Sequence, residues 1–226
     1  MMVQKEKCSG CGVCSVCCPQ NCITMKPDNL GFEYPQVDKT NCTECGLCDR
    51  VCHSNKDNKQ EILQEILPLV AWAGHAKDEK TRCASSSGGI FTVIAEEILR
   101  NNGVVYGAAL SDDCYTVKHI RVSSIKELGK LRGSKYIQSK VWKVYANVKE
   151  DLNNGLTVLF SGTPCQIESL RMYLHNKEYE NLICVEIICH GVPAPQIYAK
   201  YIDKMAGLLH GSIKHVFFRD EVGGVN

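Results

Sequence analysis

The sequence predicts a small α+β module followed by an α/β domain with a mixed sheet. Three observations carry that reading. Ten of the 15 cysteines fall between residues 8 and 52, in two copies of one spacing. From about residue 69 onward, strand-like and helix-like stretches alternate, the pattern of an α/β layer structure. The chain of 226 residues, 44% hydrophobic and 23% charged, is long enough for a module plus one medium domain, and its composition is that of a soluble globular protein.

The module is expected over residues 1–57. Cys8, Cys11, Cys14 and Cys18 recur 34 residues later as Cys42, Cys45, Cys48 and Cys52, each copy reading C-x2-C-x2-C-x3-C with a glycine after its second cysteine (Gly12, Gly46). Between the copies, Ile23–Met25 and Phe32–Tyr34 flank the turn residues Pro27-Asp28-Asn29-Leu30-Gly31 and read as a hairpin. A polar stretch from His53 leads into a linker, 58–68, that contains a short amphipathic piece ended by Pro68. The second domain is expected over 69–226. Its predicted strands are Leu69–Ala73, Val104–Leu110, Val117–Val122, Leu156–Phe160, Leu182–Ile188 and Ile213–Phe218. The predicted helices are Ile90–Arg100, Ile125–Leu131, Val141–Leu152, Gln166–His175 and Gln196–Leu209, the first with Ile90, Val93, Ile94 and Ile98 on one face.

The cysteines decide the chemistry. The N-terminus MMVQKEKCSG lacks the apolar stretch of a secretory signal, so the thiols are expected in the reducing cytoplasm, where dense cysteines hold metal more often than they form disulfides. A C-x2-C-x2-C triplet lets the chain curl three thiolates around one cluster, while the fourth cysteine reaches the other cluster. This assigns Cys8, Cys11, Cys14 and Cys52 to one [4Fe-4S] cluster and Cys42, Cys45, Cys48 and Cys18 to a second. Pro19 after Cys18 completes the usual Cys-Pro pair, whereas His53 follows Cys52. Zinc is the alternative, but structural zinc sites favour two ligand pairs rather than a repeated triplet-plus-one. Cys17 and Cys22 read as small apolar fillers. The segment resembles the bacterial two-[4Fe-4S] ferredoxin module, which makes the module ferredoxin-like and an electron carrier.

Three loops stand out in the second domain. Ser85-Ser86-Ser87-Gly88-Gly89 opens a helix; it reads either as a turn with a serine cap or as a cradle for an anion at the helix N-terminus. Arg132-Gly133-Ser134-Lys135-Tyr136 offers backbone donors, a cation and an aromatic face, and equally reads as a solvated basic loop. In Ser161-Gly162-Thr163-Pro164-Cys165-Gln166, Thr163 and Gln166 have capping-box spacing, which sets Cys165 in a first helical turn where the helix dipole favours a thiolate. Cys165 is thus a ligand, a nucleophile or a packed thiol. Cys189 ends the next strand at the same expected edge, with His190 beside it as a turn residue. Cys83, Cys114 and Cys184 carry no role.

Taken in order, the cysteine ladder, Ser85–Phe91 (SSSGGIF), Arg132–Ser139 (RGSKYIQS), Gly162–Ile167 (GTPCQI) and Cys189–Pro193 (CHGVP) resemble the beta-subunit family of coenzyme F420 hydrogenases and dehydrogenases over nearly the whole chain. The resemblance implies a flavoprotein domain that binds FAD. Ser87, Gly88 and Gly89, with Gly133, Ser134, Lys135 and Tyr136, would contact the flavin; Lys135 would hold negative charge there. It also implies a third [4Fe-4S] site built from Cys165, Cys189 and a later C-x2-C pair. That pair is missing before Asn226, so a truncated form or fragment is expected, with the third cluster assembling in a full-length form.

The expected function is that of an iron–sulfur flavoprotein oxidoreductase. It would couple hydride exchange at FAD, with a deazaflavin or another two-electron carrier, to one-electron transfer. Its partner would be a redox protein or another oxidoreductase subunit. The alternatives are an electron-transfer subunit without its own substrate and a redox sensor using Cys165 as nucleophile. A net charge of +1 gives no reason to expect nucleic acid, and no apolar run is long enough to span a membrane.

Overall fold

A computed structural model describes residues 3–55 and 70–219. The expected linker, 58–68, lies outside the described residues. The N-terminal module holds α1 (Val13–Cys17), a hairpin of β1 (Ile23–Pro27) and β2 (Glu33–Val37), and α2 (Leu47–Arg50). The hairpin pairs Ile23 with Val37 and Pro27 with Glu33, as the turn residues predicted. The duplication is visible in the backbone. Gly12 before α1 and Gly46 before α2 both sit at φ 70°, ψ 6°, a left-handed conformation that glycine adopts without steric cost.

The second unit contains α3 (Glu79–Cys83), α4 (Ile90–Arg100), β3 (Val104–Leu110), β4 (Val117–Val122), β5 (Ser139–Lys140), α5 (Tyr145–Asn153), β6 (Val158–Gly162), α6 (Pro164–Tyr173), β7 (Leu182–Glu186) and α7 (Pro195–Leu208). Its five strands run in the order β5-β4-β3-β6-β7. β3 and β4 are antiparallel and the other pairs are parallel, which makes the sheet mixed. β6 (Val-Leu-Phe-Ser-Gly) is buried throughout, as expected of a strand covered on both faces.

Alternation along β3 and β6 divides the core. Val104, Tyr106, Val158 and Phe160 point to the side covered by α5 and α6 through Tyr145, Val148, Ile167 and Leu170. Val105, Ala109 and Leu159 point to the other, under Ala95, Ile98 and Leu99 of α4 and Leu128 and Leu131. The first cluster also contains Val13 and Val51 of the module, packed with Trp142. The module is thus seated on the sheet's α5–α6 side, and polar contacts fix it there. Gln138 Nε2 donates to the Ser9 carbonyl at 2.9 Å, Lys140 Nζ pairs with Glu33 at 2.5 Å, and Gln196 N–H donates to the Leu30 carbonyl at 3.1 Å.

Several expectations need correction. Residues 70–73 and Ile213–Phe218 are not strands, although Ile213, Val216 and Phe218 do pack beside Tyr198 and Ile202 of α7. The segment Ile125–Leu131 is a 3₁₀ helix, and Val141–Leu152 divides into a 3₁₀ turn at Trp142–Val144 and then α5. The α4 boundaries match, but its face is rotated: Thr92, Ala95, Ile98 and Leu99 are buried while Ile90 and Val93 are exposed.

Candidate metal centre

The two cysteine runs fold back on each other so that Cys8, Cys11, Cys14 and Cys52 line one narrow cavity, with Cys48 and His53 also in its wall. Cys52 comes from the second run, and so does Cys48, which the spacing assigns to the other cluster. Burial raises the Cys8 and Cys52 thiols above their ordinary range, and neighbouring cysteines add to it. Cys14 is driven up furthest, by burial first and then by charge on Cys11, Cys8 and Cys52. Such a crowd of thiols ionises together only around a strongly positive centre. Among the described residues no three ligating side chains converge closely enough to hold a single metal ion. Four thiols on one cavity are the donor set that an iron–sulfur cube takes.

Cys11 differs from its neighbours. Burial raises its thiol, yet hydrogen bonds with the His53 ring and the Ser169 hydroxyl outweigh that and leave it lowered overall. A His53 ring nitrogen is also bonded to Ser9 Oγ at 2.9 Å.

The other set is arranged less tightly. Cys18 Sγ lies 3.4 Å from Cys22 Sγ, and Cys22 also sits against Cys42, contacts that push its thiol up to about 12. Cys45 is exposed and Cys48 lies in the wall of the first cavity. The structure thus gathers Cys18 and Cys42 around Cys22 and leaves Cys45 at the surface. Cys22 is buried, as a filler would be, but its sulfur is among the candidate ligands, and the bare spacing gave no sign of that.

Cys165 stands at the start of α6, where Thr163 N–H donates to Gln166 Oε1 at 3.0 Å in the predicted capping box. The expected thiolate is not favoured. Burial raises the Cys165 thiol, the Thr163 hydroxyl 3.3 Å away only partly offsets it, and Cys11 and Cys189 raise it further. That argues against a nucleophile. It also places Cys165 within electrostatic reach of both Cys11 of the module and the exposed Cys189. Buried Tyr145 and fully buried Ser169 lie between them; Tyr145 OH donates to the Cys11 carbonyl at 3.5 Å, and Ser169 Oγ donates to the Cys165 carbonyl.

The two remaining loops meet. The Ser134 N–H donates to Ser86 Oγ, joining residues 48 apart in the chain. No serine caps α4: its cap is Gly89 at φ 78°, and Ser85 Oγ donates instead to the Thr81 carbonyl at 2.7 Å. The first-turn N–H groups of α4 therefore have no side-chain acceptor at the cap. Gly88 is confined, since a Cβ there would lie 2.8 Å from the Gly74 carbonyl oxygen. Ser87, Gly133 and Tyr136 are exposed, and the Tyr136 ring meets Phe218 edge-on at 5.8 Å. Lys135 is lowered to about 8 by burial, and its ammonium donates to the carbonyls of Arg132 at 2.8 Å and Lys130 at 3.2 Å. Beside α4, Arg132 pairs through Nη2 with Glu96 at 3.6 Å, while its buried Nε has no hydrogen-bond partner among the described residues.

This architecture, a four-cysteine cavity in a ferredoxin-like module docked on a mixed-sheet α/β domain, defines an iron–sulfur electron-transfer protein. Three family models match in sequence order. A 4Fe-4S dicluster domain covers residues 7–56. The N-terminal and C-terminal parts of the coenzyme F420 hydrogenase/dehydrogenase beta subunit cover 71–146 and 155–223. The chain belongs to that beta-subunit family and carries a 4Fe-4S dicluster domain at its N-terminal end. Comparison with curated proteins gives no match. Among solved structures, the chain is similar to one from the F420-reducing [NiFe] hydrogenase complex of Methanosarcina barkeri. The identity is 17% and the TM-score 0.48, over 59% of this chain and 48% of that one. The match thus spans about half the length of that relative. No helix among the described residues is long and apolar enough to cross a membrane.

Proposed function

We propose that this chain links two-electron chemistry at a flavin in the α/β domain, 69–226, to one-electron transfer through two [4Fe-4S] clusters in the module, 1–57. The observation that supports it most directly is the shared core of Val13 and Val51 of the module with Ile167 and Leu170 of α6, the helix whose first turn holds Cys165. In this reading Cys8, Cys11, Cys14 and Cys52 hold the first cluster, and Cys42, Cys45, Cys48 and Cys18 hold the second. Cys165 and Cys189 supply two ligands of a third in a longer form. The first set lies inboard against α6, while the second reaches the surface at Cys45, where a partner redox protein or oxidoreductase subunit would dock.

FAD would be held where the two glycine-containing loops meet. Ser87, Gly88 and Gly89 would present the open N-terminus of α4 to its phosphates, and Gly133, Ser134 and Tyr136 would flank it. Arg132, paired with Glu96 beside α4, would add positive charge near the phosphates. When bound, the flavin supplies the conversion between hydride and single electrons, with a deazaflavin or another small carrier as the second substrate. A simpler reading, an electron-transfer subunit with no substrate of its own, draws support from Lys135, whose ammonium is turned to backbone carbonyls rather than outward.

The two readings separate on flavin content. Anaerobically purified full-length chain is expected to carry flavin absorption beside the cluster bands. Gly88→Ala, which drives a methyl against the Gly74 carbonyl, should lose the flavin and keep the iron. A spectrum of clusters alone in the wild type would leave the electron-carrier reading standing.

A further inference from the structure

The turn that follows the first cysteine run holds a fifth sulfur against one of the four assigned to the second cluster. In Cys18-Pro19-Gln20-Asn21-Cys22 the Asn21 N–H donates to the Cys18 carbonyl at 3.1 Å, and Asn21 takes a left-handed φ of 50°. The Cys22 carbonyl accepts from the Asp38 N–H at 2.7 Å, at the open end of the β1–β2 hairpin. Hydrogen bonds thus fix the backbone at both cysteines, and their side chains meet. Cys18 Sγ lies 3.4 Å from Cys22 Sγ, and Cys22 is only 6% exposed. At that separation the two sulfurs are in contact. The second copy of the repeat carries no such pair, because Lys56 stands four residues after Cys52.

We propose that Cys22 is a reserve ligand of the second cluster, placed to take the iron that Cys18 holds. The inference rests on the cluster assignment in the proposed function. A [4Fe-4S] cube takes one thiolate at each of its four irons, and the triplet Cys42, Cys45 and Cys48 claims three of them. One corner is left for the first run. The corners of a cube point away from one another, so two sulfurs in contact cannot serve two corners. Cys18 and Cys22 are therefore alternatives for the same iron. Cys18 is the resident, since it stands in its copy of the repeat where Cys52 stands in the other. The exchange balances without an outside reagent. The bond from iron to Cys18 breaks, the bond from iron to Cys22 forms, and the Cys22 proton passes to the departing Cys18 sulfur across the 3.4 Å contact. No atom changes oxidation state. Until then Cys22 stays a buried thiol, which is inert because the thiolate is the ligating form.

The test counts iron and acid-labile sulfide in the anaerobically purified full chain and records the electron paramagnetic resonance of the reduced protein. It covers the wild type, Cys18→Ala, Cys22→Ala and the double variant. The wild type and both single variants should hold about eight irons and show two clusters. The double variant, with no sulfur left for that corner, should fall to about seven irons or fewer and lose the signal of an intact second cluster. A Cys18→Ala protein with as little iron as the double variant overturns the proposal. So does a double variant that keeps all its iron, since neither sulfur would then be needed. Iron loss in Cys22→Ala alone also overturns it, because Cys22 would then be a required ligand and not a reserve. Should Cys18→Ala not fold, Cys18→Ser with and without Cys22→Ala decides by the same comparison. Wild-type protein that carries zinc, or no metal, would instead defeat the cluster assignment itself.

Discussion

Gly12 and Gly46 occupy equivalent places in the repeat and share one backbone conformation, but their surroundings differ. A Cβ on Gly12 would lie 2.6 Å from the Trp142 side chain, whereas nothing lies within 4 Å of one on Gly46. Left-handed backbone costs an ordinary residue about 1–2 kcal/mol at either site. Overpacking against Trp142 adds about 1–3 kcal/mol at Gly12 alone. Gly12→Ala is therefore expected to destabilise more than Gly46→Ala in chemical denaturation; equal effects would show that the module does not seat on Trp142. The glycines themselves were legible, since each follows the second cysteine of its run. Their unequal burden was not, because Trp142 is 130 residues from Gly12 in sequence.

At the scale of elements, the sheet is cross-linked by one buried imidazole. His119 of β4 bonds Ser139 Oγ of β5 through Nδ1 at 2.7 Å and the Ser161 carbonyl of β6 through Nε2 at 2.9 Å. The carbonyl can only accept, so Nε2 carries the proton and Nδ1 accepts from the serine. Burial lowers His119 to about 4. The unfolded chain, titrating near the ordinary value of about 6.5, binds the proton first as pH falls. Stability from this group is thus complete above pH ~6.5 and lost progressively down to pH ~4, up to about 3 kcal/mol. The difference in unfolding free energy between wild type and His119→Asn should shrink across that window; a difference independent of pH would contradict a neutral buried imidazole.

The elements that periodicity marked strongly, α4, β3 and β4, were readable to the residue. The two-residue β5 is too short to leave a pattern. Ile213–Phe218 has the apolar content of a strand but spends it packing beside α7. Hydrophobicity recorded that burial was needed there, not which partner would provide it.

At the scale of the whole molecule, the order of parts was readable and their meeting was not. The cysteine spacing forecast the ferredoxin-like fold of the module. No sequence pattern said that α1 would lie on the α5–α6 side of the sheet, with Val13 and Val51 in one core with Phe160 and Leu170. That seating sets the module against α6, whose first turn holds Cys165. The central claim is that the module's eight paired cysteines cage two iron–sulfur cubes. Counting iron, zinc and acid-labile sulfide per chain after anaerobic purification tests it most directly. The expected result is about eight irons and as many sulfides, falling to about four of each when Cys8, Cys11 and Cys14 are replaced by serine. Zinc in place of iron, or an iron count that those replacements leave unchanged, would contradict it.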